Sequence, residues 1–313
     1  MRPFLSHLMI FALLPLAAVT AAVWRADGTT DAFYLRFTTP KASSKIIGTS
    51  RAAQGIRPDV LDSTLNDAGW DVKTFNYAFA KGISNYGPAY LASVMRKLDR
   101  SRTDGIFVLA VDPWCLDMRH GDGDGTGWSE DDKPVASCIP VAARPNLEYL
   151  FTVYNNPILT ILFPSEQQRS DMVLHENGWL EVRIDLSPRK VAWRTEEKLK
   201  EYRANAIGSS LSPFRMASLQ AMIDSLAPYG TPMLVRLPVP AAMLAVEDGT
   251  MPHFDAVMER TARSQGIRYL NFTRLPDHWS YTDGNHLTAN ETGKVTTAIG
   301  EFLIQSRQEE GAP

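Results

Sequence analysis

The sequence predicts an α/β protein built in three layers, a parallel sheet covered by helices on both faces. Three observations predict it. Short apolar runs alternate with segments of helical periodicity. The runs are apolar at consecutive positions, as strands buried on both faces require. Polar side chains of chemical interest stand where those runs end, the edge at which parallel sheets bind ligands. The 313 residues are 44% hydrophobic and 21% charged, which suits one large domain or two small ones. A formal net charge of −3, with Lys and Arg dispersed, excludes the basic footprint of a nucleic-acid binder.

The first element lies outside that alternation. Arg2 precedes an apolar run from Leu8 to Trp24, and the chain turns polar at Arg25. Residues 1–26 read as a secretory signal peptide or an uncleaved membrane anchor, so residues 27–313 are expected outside the cytoplasm. Asp27 to Ser44 reads as a polar spacer. Lys45 to Thr49 is the first strand and enters Gly48-Thr49-Ser50. A helix interrupted by Pro58 follows from Arg51 to Leu65, and Val72 to Ala78 is the second strand. Pro88 to Leu98 has helical spacing through Tyr90, Leu91, Val94, Met95 and Leu98, and Gly105 to Val111 is a continuous apolar strand.

From about 113 to 206 the alternation breaks. This stretch reads as a long insertion after the third strand with short elements of its own, a lid or docking surface. It holds both cysteines, Cys115 and Cys138, which lie 23 positions apart. An oxidising compartment would let them pair, contributing about 3 kcal/mol; the alternative is two unpaired buried thiols. The alternating charges of Arg194 to Arg203 read as a solvated helix face. Alternation then resumes with a helix at Met216 to Leu226, a strand at Pro232 to Leu237, a helix at Phe254 to Ser264, a strand at Ile267 to Phe272 and a helix at Glu291 to Ile304.

Two segments carry chemistry. Ser50 follows a strand and opens a helix, which puts its hydroxyl at the sheet edge and its own N–H in the first helical turn. An N-cap serine would look the same. Asp283 and His286, in Thr282-Asp283-Gly284-Asn285-His286, lie between the last strand and the last helix. At that spacing the carboxylate can orient the imidazole while the other ring nitrogen takes a proton from serine; a plain surface turn is the alternative.

A strand-end serine joined with Asp-x-x-His before the last helix resembles the SGNH/GDSL hydrolase family over residues 45–110 and 205–305. The resemblance implies a flavodoxin-like sheet, Ser50 as nucleophile, Asp283 as orienting acid and His286 as general base. It also implies Gly82, after the second strand, as an oxyanion-hole glycine. Where the family has an asparagine after its third strand, this chain has Asp112-Pro113-Trp114. An ionised Asp112 has no proton to donate, which leaves Asn76 or Asn85 to supply an amide and Asp112 to cap a turn or pair with Arg51. Gly48-Thr49-Ser50-Arg51 and Val235-Arg236-Leu237-Pro238 resemble the anchored SGNH proteins associated with membrane-bound O-acyltransferases. That likeness implies acyl transfer to, or removal from, a cell-envelope glycan, with a membrane-bound O-acyltransferase as partner. Arg51 and Arg236 would then bind an anionic substrate group or make ordinary salt bridges. The alternative is a catalytically silent domain that binds glycan or scaffolds such a partner.

The first loop lacks a Gly-rich phosphate cradle, so no nucleotide cofactor is expected. No Cys/His cluster has zinc spacing. Asp122 to Gly127 begins like a calcium loop, but its twelfth position is Lys133, so no metal is expected. His175, His253 and His278 are isolated. Trp114, Trp128, Trp179 and Trp193 either stack on sugar rings or form a small core.

Overall fold

The computed structural model describes residues 2–119, 130, 132–275 and 278–310, with backbone alone at 2, 3, 5, 6, 8, 119 and 310. Its main helices are α1 (Arg2–Arg25), α2 (Ser50–Gly55), α3 (Pro58–Asp67), α4 (Pro88–Arg96), α5 (Pro188–Ala206), α6 (Pro213–Leu226), α7 (Ala241–Thr250), α8 (Phe254–Ser264) and α9 (Ala289–Glu310). Five strands, β1 (Ser44–Ile47), β2 (Thr74–Asn76), β3 (Gly105–Ala110), β4 (Gly230–Arg236) and β5 (Arg268–Asn271), form one sheet in the order β2-β1-β3-β4-β5. Every neighbouring pair in it is parallel. The winding reverses between β1 and β3, and the crevice at their carboxyl ends is where such sheets bind ligands.

Alternate residues of one strand serve different layers. Ile106, Val108 and Ala110 of β3 pack with Ala52, Ile56, Leu61, Val295 and Ile299 of α2, α3 and α9 and their connections. Phe107 and Leu109 pack on the opposite face with Tyr90, Val94, Leu219, Ile223 and Met258 of α4, α6 and α8. β1 and β3 are buried throughout, which is why β3 reads as a continuous apolar run. Proline stands in the first turn of α3, α4, α5 and α6, where its missing N–H costs nothing.

The insertion has more order than expected. Short helices at Pro134–Ser137, Leu147–Thr152 and Glu166–Ser170 lead to a hairpin of Met172–Leu174 with Leu180–Val182, and the segment ends in the 19 residues of α5. The hairpin tip covers β2: Asn177 O accepts Asn76 N–H at 2.9 Å, and Trp179 Nε1 donates to Gln54 O at 2.8 Å. Gly178, at φ +85°, is required there, because a Cβ would stand 2.3 Å from Asn76 O. Residues 122–127 and Trp128 lie outside the described residues.

Three expectations are corrected. The segment from Asp27 to Ser44 is not a spacer. Tyr34, Leu35, Arg36 and Phe37 are buried, and Arg36 donates to Ala32 O and Gly178 O between the Phe33 and Phe79 rings. Burial pushes the Arg36 guanidinium down to about 10. Second, Cys115 and Cys138 are free. Each has local partners instead: Cys115 Sγ donates to Asp112 O at 3.1 Å, and Cys138 Sγ lies 3.7 Å from Asn146 Nδ2. Third, α7 was not expected and turns out to carry a residue central to the site.

At the amino ends of the strands, Lys45 is fully buried, with Nζ 5.6 Å from the Tyr77 ring centroid and no hydrogen-bond partner among the described residues. Burial and then Lys97 push its ammonium down to about 7. Lys97 donates to Thr39 O and Val141 O, and burial pushes it down to about 8.

The described side chains of α1 are exposed over most of its length, and it packs only near its end, through Ala22 and Val23. Among the described residues no helix is long and apolar enough to cross a membrane.

Candidate active site

Gly48 follows β1 at φ +150°, where a Cβ would stand 2.9 Å from Ala110 Cβ, so the turn into α2 closes only without a side chain. Its N–H donates to the Tyr90 hydroxyl at 3.1 Å, and its carbonyl accepts from Ser84 Oγ at 2.7 Å. Thr49 occupies the N-cap position of α2 without a side-chain capping bond, and Ser50 is the first helical residue. The hydroxyl is thereby fixed at the carboxyl edge of the sheet.

The second segment folds as a closed loop between β5 and α9. Thr282 N–H donates to His286 O at 2.9 Å. Inside the loop, Asp283 Oδ1 accepts the N–H groups of Asn285 and His286 at 2.7 and 2.8 Å. This local bonding, not the spacing alone, turns the carboxylate toward the imidazole. His286 Nδ1 lies 3.0 Å from Asp283 Oδ2, and His286 Nε2 lies 2.9 Å from Ser50 Oγ. Residues 236 positions apart therefore meet as one relay. Burial of Asp283 works against its ionisation, yet the ring hydrogen bond, the ring's field and the two backbone N–H groups hold its carboxyl down to about 2. An ionised Asp283 makes Nδ1 the proton-bearing nitrogen and leaves the Nε2 lone pair facing the serine hydroxyl.

Behind the relay is a chain of buried charges. Arg51 Nε and Nη2 both donate to Asn285 Oδ1, at 2.9 and 2.6 Å, and Nη2 also reaches Glu247 Oε1 at 2.5 Å. Glu247 is fully buried on α7; its second oxygen accepts from Arg236 Nη2 at 2.7 Å, and Trp114 Nε1 donates to the first at 2.9 Å. Arg236 continues to Asp255, which also binds Arg274 and the Tyr269 hydroxyl. Burial opposes the charge on Glu247, but Arg51 and Arg236 hold its carboxyl below the usual range. Glu247 and Asp112 likewise keep the buried Arg51 guanidinium charged. The chain ends on Asn285, whose Nδ2 lies 3.2 Å from His286 Nε2 and 3.3 Å from the Tyr202 hydroxyl. Helix α5 braces the same loop: Arg194 Nε donates to Thr282 O at 2.9 Å, and Thr195 O packs against Gly284.

The structure thus brings Ser50, Asp283 and His286 together and reassigns several other residues. Arg51 and Arg236 are buried and paired with Glu247 instead of being presented to an anionic substrate. Asn76 cannot supply an oxyanion amide: its Nδ2 donates to Ala52 O and Ile56 O, and its Oδ1 accepts Ala78 N–H. It ties α2 to β2 instead. Asp112 caps the turn Pro113–Cys115 by accepting the N–H groups of Trp114 and Cys115, with Oδ2 3.8 Å from Arg51 Nη1. Burial, opposed by Arg51, raises its carboxyl above the usual range. Gly82 is exposed at φ +93° in the loop that Ser84 lashes to Gly48. Asn85 lies in that loop too, its Oδ1 buried and unpartnered among the described residues. Trp114 and Trp179 are core residues, at 2% and 4% exposure, whereas Trp193 is exposed. His175 pairs with Glu181 at 2.9 Å, and His253 and His278 are exposed. Among the described residues, no group of His, Cys, Asp and Glu could hold a metal.

Sequence reasoning missed Glu247, Asp255, Asn285 and Tyr202. Only Asn285 had a signal, its place inside the Asp-x-x-His segment. No protein-family model and no curated protein matches the chain. The arrangement can activate a serine hydroxyl for attack on an acyl carbon.

Proposed function

We propose that this protein is a serine-dependent acyl-ester enzyme of the SGNH type, acting outside the cytoplasm on a cell-envelope glycan or a related ester. One observation carries the reading: the unbroken relay from Asp283 through His286 to Ser50 Oγ. The sheet order, shared with flavodoxin-like proteins, and the place of the relay at its carboxyl edge support the family assignment. Ser50 Oγ attacks the ester carbonyl while His286 Nε2 takes its proton. The tetrahedral intermediate collapses as His286 returns that proton to the leaving alkoxide, leaving an acyl-serine. Water, or a glycan hydroxyl, then attacks with His286 again as base, so the products are a carboxylic acid or a new ester. The N–H groups of Ser50 and Gly82 serve the oxyanion. The α1 segment holds the protein to a membrane, where a membrane-bound O-acyltransferase is the partner and donor.

The test is fluorophosphonate labelling of the full chain beside Ser50→Ala and His286→Ala. Labelling that needs both residues is expected. A well-folded chain that resists the probe sinks the proposal in favour of a glycan-binding or scaffolding domain. Asp112 favours that second reading, because it stands where the family keeps an amide donor, and Asn76 does not replace it.

A further inference from the structure

Outside α1, eleven large apolar side chains are exposed among the described residues, and six of them, Ile139, Val141, Leu147, Phe151, Leu159 and Phe163, fall between positions 139 and 163. Four of the six belong to two short turns. Leu147 and Phe151 lie on the outer side of helix Leu147–Thr152, at 54% and 62% exposure, while Tyr149 and Leu150 of the same turn are buried. Leu159 and Phe163 flank Ile161, which is buried, and reach 45% and 78%. These two turns also receive the foot of α1: Ala22 and Ala26 share an apolar cluster with Leu150 and Ile161, and α1 packs directly on Ile158–Ile161.

The last two residues of α1 are Trp24, 81% exposed, and exposed Arg25. An aromatic ring beside a cation at the end of an apolar helix is the signature of a membrane–water boundary. Below it, Met9, Ile10, Phe11, Leu13, Leu14 and Leu16 are each at least 60% exposed. Exposed apolar side chains gathered on the two turns that receive α1 mark an interaction surface, and their junction with α1 names the occupant.

We propose that the turns around 147–151 and 159–163 form a foot that rests in the interfacial layer of a lipid bilayer, so that the body is held against the membrane as well as tethered to it. This rests on the membrane placement of α1 proposed above. Two attachment points fix the orientation of the domain, whereas a single helix would leave it free to swing.

Hydrogen exchange of the full chain tests this, with and without vesicles of phosphatidylethanolamine and phosphatidylglycerol. The expected result is protection of peptides covering 147–163 along with α1. The double variant Phe151→Ser/Phe163→Ser, which alters only exposed side chains, is expected to leave vesicles about tenfold faster or more while keeping its esterase activity on a soluble ester. A chain that binds vesicles with protection confined to α1, or a double variant that leaves at the parent rate, overturns the foot and leaves the anchor standing. A chain that fails to bind vesicles overturns both.

Discussion

The two edges of the central sheet handle buried charge in opposite ways. At the carboxyl edge, Arg51, Glu247, Arg236 and Asp255 form an alternating chain in which each cation has a carboxylate within hydrogen-bond reach. At the amino edge, Lys45 and Lys97 are buried without a carboxylate partner among the described residues, and burial drives both toward the neutral form. The difference follows from what each edge must do. A proton relay requires neighbours of fixed position and fixed charge, which paired ions supply. The amino edge carries no relay, and an unpaired lysine there merely weakens the fold.

The largest expected effect lies on the carboxyl edge. Asp283→Asn should lower turnover about 10⁴-fold in ester hydrolysis, and denaturant titration should show the loss of the stabilisation its ionised carboxylate supplies. Glu247→Ala strands two buried guanidinium groups and should cost about 3–5 kcal/mol in the same titration. A cost below about 1 kcal/mol would break the contrast between the edges. Asn285→Ala removes the acceptor shared by Arg51 Nε and Nη2 and loosens the imidazole. Turnover should fall by up to about 10²-fold with KM little changed.

Lys45→Met should have the reverse sign, stabilising the protein at pH 7 by roughly 1–3 kcal/mol. The folded Lys45 titrates near 7 against an ordinary 10.5. Between those values the unfolded chain binds more protons, so this residue makes stability rise with pH across that window. The variant should flatten that part of the stability profile. Asp283 gives a slope of the same sign in an acid window, but here the charged form is the favoured one: its folded value near 2 lies below the ordinary 3.8. Its contribution is full above 3.8 and is lost as pH falls through 2. The smallest effect is expected at Arg274, whose side chain is 70% exposed. Arg274→Ala should cost less than about 1 kcal/mol.

The layers were legible because they depend on local pattern. β3 and α8 were readable from apolar runs and periodicity, and Pro88 marked a helix start, whereas Pro58, read as interrupting one helix, opens a second one after α2 has ended at Gly55. The relay was legible because Ser50 and the Asp-x-x-His segment each sit at a recognisable junction. The supporting charges were not. Glu247 is one of two adjacent acids in a short apolar helix, and its two arginine partners lie 196 and 11 positions away, so no local pattern joins them. Arg51 and Arg236 were visible as cations, but whether a buried arginine meets substrate or carboxylate depends on packing. The stretch from 27 to 44 misled because its polar ends outweighed Phe33-Tyr34-Leu35-Arg36-Phe37, whose aromatic density was the better signal. The cysteine pairing rested on compartment, and geometry gave each thiol a separate neighbourhood.

The hairpin tip over β2 has a consequence for anyone who trims this protein. An uncovered outer strand offers its free N–H and C=O groups to other chains and seeds cross-strand polymerisation. Asn177 occupies one of those groups on β2, and Gly178 lies too close for any larger side chain. Excising the insertion to obtain a minimal α/β core would therefore bare the edge, and the shortened protein should precipitate or form fibres before the proposed chemistry could be assayed.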